Sequence, residues 1–220
     1  LPRELLEREI ASLLDPNITL HLNTALGRDV TLDELRSNHD AVYLTMGSHR
    51  SKTLGLPGEN IEGVIPGIRF LKSWNLEGIG LARGRVGVVG GGNSALDAAR
   101  VAFRQKGVES VTILYRRSRE EMPAYEEEIE AALEEGIRLE TLVAPIGLQS
   151  EGGRLTGLRL QRNRLGKPDA SGRRKPEPIE GCEFTIALDT LIAAISEEPD
   201  VEELDGRLKK NRWVGLLVDP

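Results

Sequence analysis

Gly90, Gly92 and Ala95 stand at G-x-G-x-x-A spacing in the run Val88-Val89-Gly90-Gly91-Gly92-Asn93-Ser94-Ala95, behind an apolar strand and ahead of an alanine-rich helix. A turn of this kind can bind a pyrophosphate through its backbone. The first glycine permits the tight turn, the second leaves no Cβ between backbone and phosphate, and a small third residue lets helix and strand pack closely. Unpaired amides at the helix start and the aligned peptide dipoles complete an anion site. Gly90, Gly91, Gly92, Asn93, Ser94 and Ala95 are therefore the candidate dinucleotide-binding residues.

The end of the next strand indicates which dinucleotide. NAD-binding domains place a carboxylate there, about 20 residues beyond the glycines, to accept from the ribose 2′-hydroxyl. Here the strand ends Leu114-Tyr115-Arg116-Arg117-Ser118-Arg119, with three guanidinium groups and no carboxylate. Forked donors of this kind suit a 2′-phosphate, so Arg116 and Arg117 are candidates for NADPH selection. One charge-assisted hydrogen bond, at roughly 1.5–3 kcal/mol before screening, would favour NADPH by about tenfold or more. No general acid or base is assigned: His21, His39 and His49 lie outside these motifs and read as surface or packing residues. Asp97, one turn before Arg100, reads as its helix partner, and Met122-Pro123 as the shape of the loop beside the adenosine.

The elements that must position these groups follow from periodicity. Arg85–Val89, Val111–Tyr115 and a third strand alternate with helices at Asn93–Gln105 and Tyr125–Glu135, each helix followed by a glycine, Gly107 or Gly136. This order predicts right-handed parallel crossovers and a doubly wound, Rossmann-like α/β sheet. Beyond Ala144 the period becomes two. Leu155–Gln161 and Glu183–Ala187 read as an antiparallel meander separated by a polar loop, Arg164–Pro178, before a buried strand at Asp189–Ile195. Ahead of the glycine turn the chain reads as a helix at Pro2–Leu14, a turn at 15–17, a strand at Ile18–Leu22 and a helix opened by Thr31 and Glu34 in capping-box spacing. A buried strand, Asp40–Gly47, a Gly/Pro-rich connector, Gly55–Gly67, and a short helix, Ile68–Asn75, complete this part.

The chain has 220 residues, a formal net charge of −6, 39% hydrophobic and 29% charged residues, a globular balance. An acidic surface with 4% aromatic residues excludes nucleic acid as the main partner. No apolar run reaches the ~20 residues of a membrane span, and no signal peptide opens the chain, so no membrane partner is expected. The one cysteine, Cys182, provides no intrachain disulfide and no cysteine-ligated metal site, and reads as an ordinary strand residue in a cytoplasmic protein. The charge runs Glu126–Glu128 and Arg207–Arg212 read as solvated faces, and the start without methionine reads as the interior of a longer chain.

Taken together, Gly90–Arg100 (GGGNSALDAAR), Tyr115–Pro123 (YRRSREEMP) and the helix ending Glu134-Glu135-Gly136 resemble the NADPH-binding domain of the glutamate synthase small (beta) subunit family. Leu1–Arg8, Asp40–Gly47, Leu56–Glu59 and Gly63–Gly67 resemble the stretch preceding it, so nearly the whole chain is covered. The resemblance implies a flavoprotein oxidoreductase whose FAD domain is split by an inserted NADPH domain. Residues 1–81 would be a partial FAD-domain segment with connector, 82–198 the NADPH domain, and 199–220 the return toward the FAD domain.

By the same resemblance, hydride passes from NADPH to FAD, and electrons then pass singly to iron–sulfur clusters of an extension, a partner protein or a large catalytic subunit. Gly47 and Ser48 would lie near the flavin or the domain crossover, and Ala194-Ile195-Ser196 stands where the family has Ala-Ile-Gly, beside nicotinamide or flavin. The flavin's own glycine fingerprint and its closing Gly-Asp segment are absent from these residues, so the chain is expected to bind NADPH and to hold FAD poorly. An NADP-binding sensor or interaction module without flavin or turnover is the alternative.

Overall fold

The apolar strand before the glycine turn lies at the centre of a parallel sheet in the computed structural model, which describes residues 2–170, 172–201, 208–209 and 215–217. The chain divides into two compact units, one built on residues up to Met46 and the other on Gly47–Asp200. The first holds helices α1 (Arg3–Leu13), with no buried residue, and α2 (Leu32–Asn38). Thr31 caps α2 as its spacing predicts: its Oγ accepts from the Glu34 amide at 3.2 Å and the Glu34 carboxylate accepts from the Thr31 amide at 2.8 Å.

Two expected strands of this unit do not form. Ile18–Leu22 and Asp40–Gly47 join no ladder among the described residues, and Tyr43, expected to be buried, is 91% exposed. An apolar, alternating segment becomes a strand only where a neighbour completes its hydrogen bonds, and neither segment finds a ladder partner among the described residues.

The second unit runs β1 (Arg50–Ser51), β2 (Val64–Pro66), α3 (Gly67–Lys72), β3 (Gly84–Val89), α4 (Asn93–Phe103), β4 (Val108–Tyr115), α5 (Glu126–Glu134), β5 (Arg138–Thr141), β6 (Val143–Glu151), β7 (Arg154–Pro168), β8 (Arg174–Ala187), β9 (Thr190–Ala193) and β10 (Glu197–Glu198). A π-helical turn, Ser73–Glu77, extends α3. The parallel sheet has the order β2-β9-β3-β4-β5, β6-β7-β8 form an antiparallel sheet, and β1 pairs with β10. Strand β2 lies within the stretch read as a connector. Three residues ending in proline show no alternation, yet Ile65 is buried opposite Ile192.

Alternate residues of the parallel strands feed two cores. Val86, Val88, Val111, Ile113 and Ile192 pack with Phe70, Ile129 and the buried face of α4, whereas Val89, Leu114 and Leu191 pack with Leu155, Leu158 and Leu160 of β7. Helices thus cover one face and the antiparallel meander the other. The expected α/β class and the antiparallel insertion are both present, and the insertion forms a layer of its own. The stretch Arg164–Pro178, expected to be a loop, is mostly strand: Arg164 pairs with Glu177 and Leu165 with Pro176, with β7 running to Pro168 and β8 starting at Arg174. Its polar, proline-containing sequence suits an edge strand exposed to water.

Ala95, Ala98, Ala99 and Ala102 are 0% exposed, which lets α4 lie close to the sheet. Arg100 pairs with Glu128 at 2.6 Å and Glu135 at 2.7 Å, and Arg104 with Glu135 at 2.7 Å, fastening α4 to α5. Arg100 is therefore engaged across helices; Asp97, expected as its partner, feels the Arg100 charge without an ion pair to it, and partial desolvation and Glu128 outweigh that charge and raise its carboxyl. The acidic run at 126–128 is correspondingly an ion-pairing edge, with Glu126 on Arg119 and Glu128 on Arg100. The basic run 207–212 lies, apart from Leu208 and Lys209, outside the described residues.

Hydrogen bonds from Arg104 and then Arg100 hold the Glu135 carboxyl well below its usual 4.5, at about 2. A depressed folded-state value stabilises the fold above the ordinary value, and that contribution disappears as pH falls toward the folded one. Urea unfolding is therefore expected to show stability falling between 4.5 and about 2. Glu135→Gln is expected to lower stability at neutral pH and to flatten that acid slope.

Candidate dinucleotide-binding site

The glycine turn opens where β3 ends, between β9 on one side and β4 on the other. The chain order reverses at this point, which leaves a crevice at the carboxyl ends of the strands. The Gly90 amide donates to the Leu114 carbonyl at 3.2 Å and the Ala194 amide to the Val89 carbonyl at 2.9 Å. A Cβ at Gly90, where φ is 152°, would lie 2.1 Å from the Ala194 carbonyl oxygen, and one at Gly91 would lie 2.5 Å from the Tyr115 ring. Both glycines are required by packing.

Gly92 differs. It caps α4 at φ −94° and ψ 175°, with no side-chain cap. A Cβ there would meet only Pro123 Cγ, at 3.9 Å, so nothing in the protein demands glycine and the space lies open before the helix. The Gly92 carbonyl accepts from the Ala95 and Leu96 amides at 2.9 and 3.2 Å, whereas the amides of Gly92, Asn93 and Ser94 have no acceptor among the described residues. Asn93 Oδ1 accepts from the Tyr125 amide at 3.0 Å, and the Gly91 carbonyl accepts from the Ala124 amide at 3.2 Å, so the loop before α5 braces the turn. Met122 is 9% exposed in the core, and Pro123 borders the open space at Gly92.

At the end of β4 the arginines part company. Arg116 is exposed, and among the described residues no ion pair or hydrogen bond engages its guanidinium. Arg117, expected to face a phosphate beside it, is 4% exposed. Its Nε donates to the Arg174 carbonyl at 2.7 Å and its Nη2 to Asp169 Oδ2 at 2.6 Å. Arg119 pairs with Glu126 and Glu130 on α5. Tyr115 lies beneath the loop with its hydroxyl donating to the Glu121 carbonyl at 2.7 Å.

The remaining candidates lie on the other flank. Ala194, 8% exposed, touches Gly90, while Ile195 and Ser196 are exposed. The Ser196 carbonyl accepts from the Lys52 amide at 3.0 Å, beside the β1–β10 ribbon. Gly47, at φ 70°, begins the second unit, with Ser48 exposed after it. His21, His39 and His49 are exposed, as is Cys182 on β8. Asp169 and Arg174 carry no signal in the sequence, since they lie more than 50 residues beyond Arg117 inside a stretch that reads as loop, and Asn163 lies just ahead of it.

The sequence profile of the pyridine nucleotide-disulphide oxidoreductase family matches residues 5–220. The chain is 42% identical over 223 residues, 100% of its length, to the NADP(+)-dependent formate dehydrogenase subunit beta of Moorella thermoacetica, and spans 31% of that relative. It is 36% identical over 236 residues to the Glutamate synthase [NADPH] small chain of Azospirillum brasilense, again 100% of this chain and 48% of the relative. The chain therefore spans less than half the length of these curated relatives. Among solved structures, Mycobacterium tuberculosis FprA in complex with NADPH superposes with a TM-score of 0.77 at 19% identity, over 95% of this chain and 61% of that one, which shows a shared fold.

The packing separates the two glycines experimentally. Gly90→Ala is expected to destabilise the protein by ~2 kcal/mol or more through collision with the Ala194 carbonyl, whereas Gly92→Ala is expected to cost about 1 kcal/mol or less. Urea unfolding of both variants checks this contrast. With the sheet order, the glycine turn and the family profile in agreement, the chain belongs to the pyridine nucleotide-disulphide oxidoreductase family.

Proposed function

We propose that this chain is the NADPH-binding part of an oxidoreductase subunit that draws electrons from NADPH, of the kind represented by glutamate synthase small chains. The carrying observation is the start of α4. Three amides without acceptors among the described residues lie at a space left open by Gly92, with the exposed guanidinium of Arg116 just past the end of the neighbouring strand β4. Gly90, Gly91, Gly92, Asn93, Ser94 and Ala95 would carry the pyrophosphate and Arg116 the 2′-phosphate, with residues 82–198, together with β2, as the NADPH domain.

For a flavin the residues present are not sufficient. Residues 1–46 contain one glycine, Gly27, and no dinucleotide turn. Residues 1–46 and 199–220 are assigned to the flavin-binding part of the whole protein on sequence resemblance, with Gly47, Ser48 and Ala194-Ile195-Ser196 toward the flavin and nicotinamide. Nicotinamide and flavin supply the redox chemistry, and the protein's part is to place them. The names of the relatives, a subunit beta and a small chain, support a partner subunit, and the resemblance to glutamate synthase small subunits suggests that it is an iron–sulfur or large catalytic one. No helix among the described residues is long and apolar enough to cross a membrane, and the lone cysteine supports a cytoplasmic setting.

Calorimetric titration with NADPH and NADH tests the reading. NADPH is expected to bind more tightly, and Arg116→Ala to weaken NADPH by about tenfold while leaving NADH within about twofold, one charge-assisted hydrogen bond being worth a decade or more. Equal affinities for the two coenzymes, or an unchanged preference in the variant, would overturn the assignment of Arg116.

A further inference from the structure

The hairpin of β7 and β8 extends well past the core it covers. Leu155, Leu158 and Leu160 are buried, yet beyond Asn163 no residue of β7 is buried, and the described residues of the tip, 169–170 and 172–173, include no buried apolar side chain. Hydrophobic burial does not account for this extension. What the tip does reach is the loop that follows β4. Arg117 is held there by Asp169 and the Arg174 carbonyl, while the Glu121 carboxylate accepts from the Arg174 amide at 3.2 Å and from Arg174 Nε at 2.8 Å. Nearer the base of the extension, Asn163 Nδ2 donates to the Arg116 carbonyl at 3.1 Å, and the Leu142 amide donates to the Arg117 carbonyl at 3.0 Å.

These contacts differ from ordinary surface ion pairs, which contribute little. The Arg117 side chain is 5% exposed, that of Asp169 22% and that of Glu121 12%. Breaking one side of such a pair leaves a charge buried without its partner, so the arrangement resists displacement. The Arg116 carbonyl and the Arg117 side chain are thus fastened to the hairpin and the Arg117 carbonyl to Leu142, and of the two arginine side chains that of Arg116 is left at the surface.

We propose that the β7–β8 hairpin tip is a coenzyme-selecting strut. Arg117 is a positioning residue that locks the tip to the loop, and Asp169, Arg174 and Glu121 hold that loop so that Arg116 alone meets the 2′-phosphate. The proposal rests on the reading of the glycine turn as an NADPH site. It assigns a specificity role to residues that touch no coenzyme, and it predicts a sign. If Arg117 were itself a phosphate ligand restrained by Asp169, releasing it would strengthen NADPH binding. As a strut, its release weakens NADPH binding.

The test is calorimetric titration of the full chain with NADPH and NADH, comparing the parent with Asp169→Ala and Arg174→Ala and following each variant's melting by circular dichroism. Asp169→Ala is expected to weaken NADPH by about fivefold or more, the scale of coupling within one polar network, while NADH stays within about twofold. Arg174→Ala is expected to shift the NADPH to NADH ratio in the same direction. Because its side chain is 49% exposed, it decides the matter if the buried variant fails to fold. Tighter NADPH binding, a proportional loss of both coenzymes, or no change in either would overturn the strut. A parent chain that binds neither coenzyme would overturn the NADPH reading itself, an outcome visible before any variant is made.

Discussion

The passage of the Gly90 backbone beneath the Ala194 carbonyl is the constraint on which the site depends. Strands β3 and β9 pair in parallel with Val89 opposite Ala193, so the two chains leave the sheet side by side. A side chain at Gly90 would sit 2.1 Å from the Ala194 oxygen, closer than any relaxation of a rigid sheet edge allows. With glycine there, the chain can turn at once into α4, Ala95 can lie against the turn, and the start of the helix projects over the crevice. The unpaired amides at the start of α4 are a consequence of that turn being so tight.

Around this point the protein separates two tasks that adjacent residues share in the sequence. Of the glycines, Gly90 and Gly91 answer to packing, against Ala194 and Tyr115, whereas Gly92 answers to the space outside. Of the arginines, Arg117 and Arg119 are bound by carboxylates of the hairpin and of α5, and Arg116 is left to the solvent. Burial makes the difference in each case. A buried guanidinium must have its hydrogen bonds satisfied internally and becomes structure, while an exposed one remains available to an anion.

The antiparallel meander connects the two cores to the site. Its inner face buries Leu155, Leu158 and Leu160 against the parallel sheet, and its far end grips the loop after β4 by polar contacts. The helix layer is secured on the opposite face by Arg100, Arg104 and Glu135, an ionic connection between α4 and α5 that keeps the loop between them short of freedom. The turn and the β4 loop are therefore each held from two directions. Rigid support of this kind is what a site needs if it is to distinguish coenzymes by one phosphate.

What the sequence determined by itself is local: the glycine turn between strand and helix, the alternation of parallel strands and helices, the capping box at Thr31 and Glu34, and the meander's period of two. Each follows from residue types a few positions apart, whose steric and hydrogen-bonding preferences act within a single turn or strand. What only the tertiary structure decided is non-local. Ile18–Leu22 and Asp40–Gly47 have strand-like sequences yet join no ladder among the described residues, because pairing requires a neighbouring segment. Val64–Pro66 has almost no strand signal, but β9 supplies its partner. Arg116 and Arg117 are identical in kind and adjacent in sequence; the approach of Asp169, from 52 residues further along, separates them, because it satisfies a buried guanidinium at Arg117 while the Arg116 side chain stays exposed.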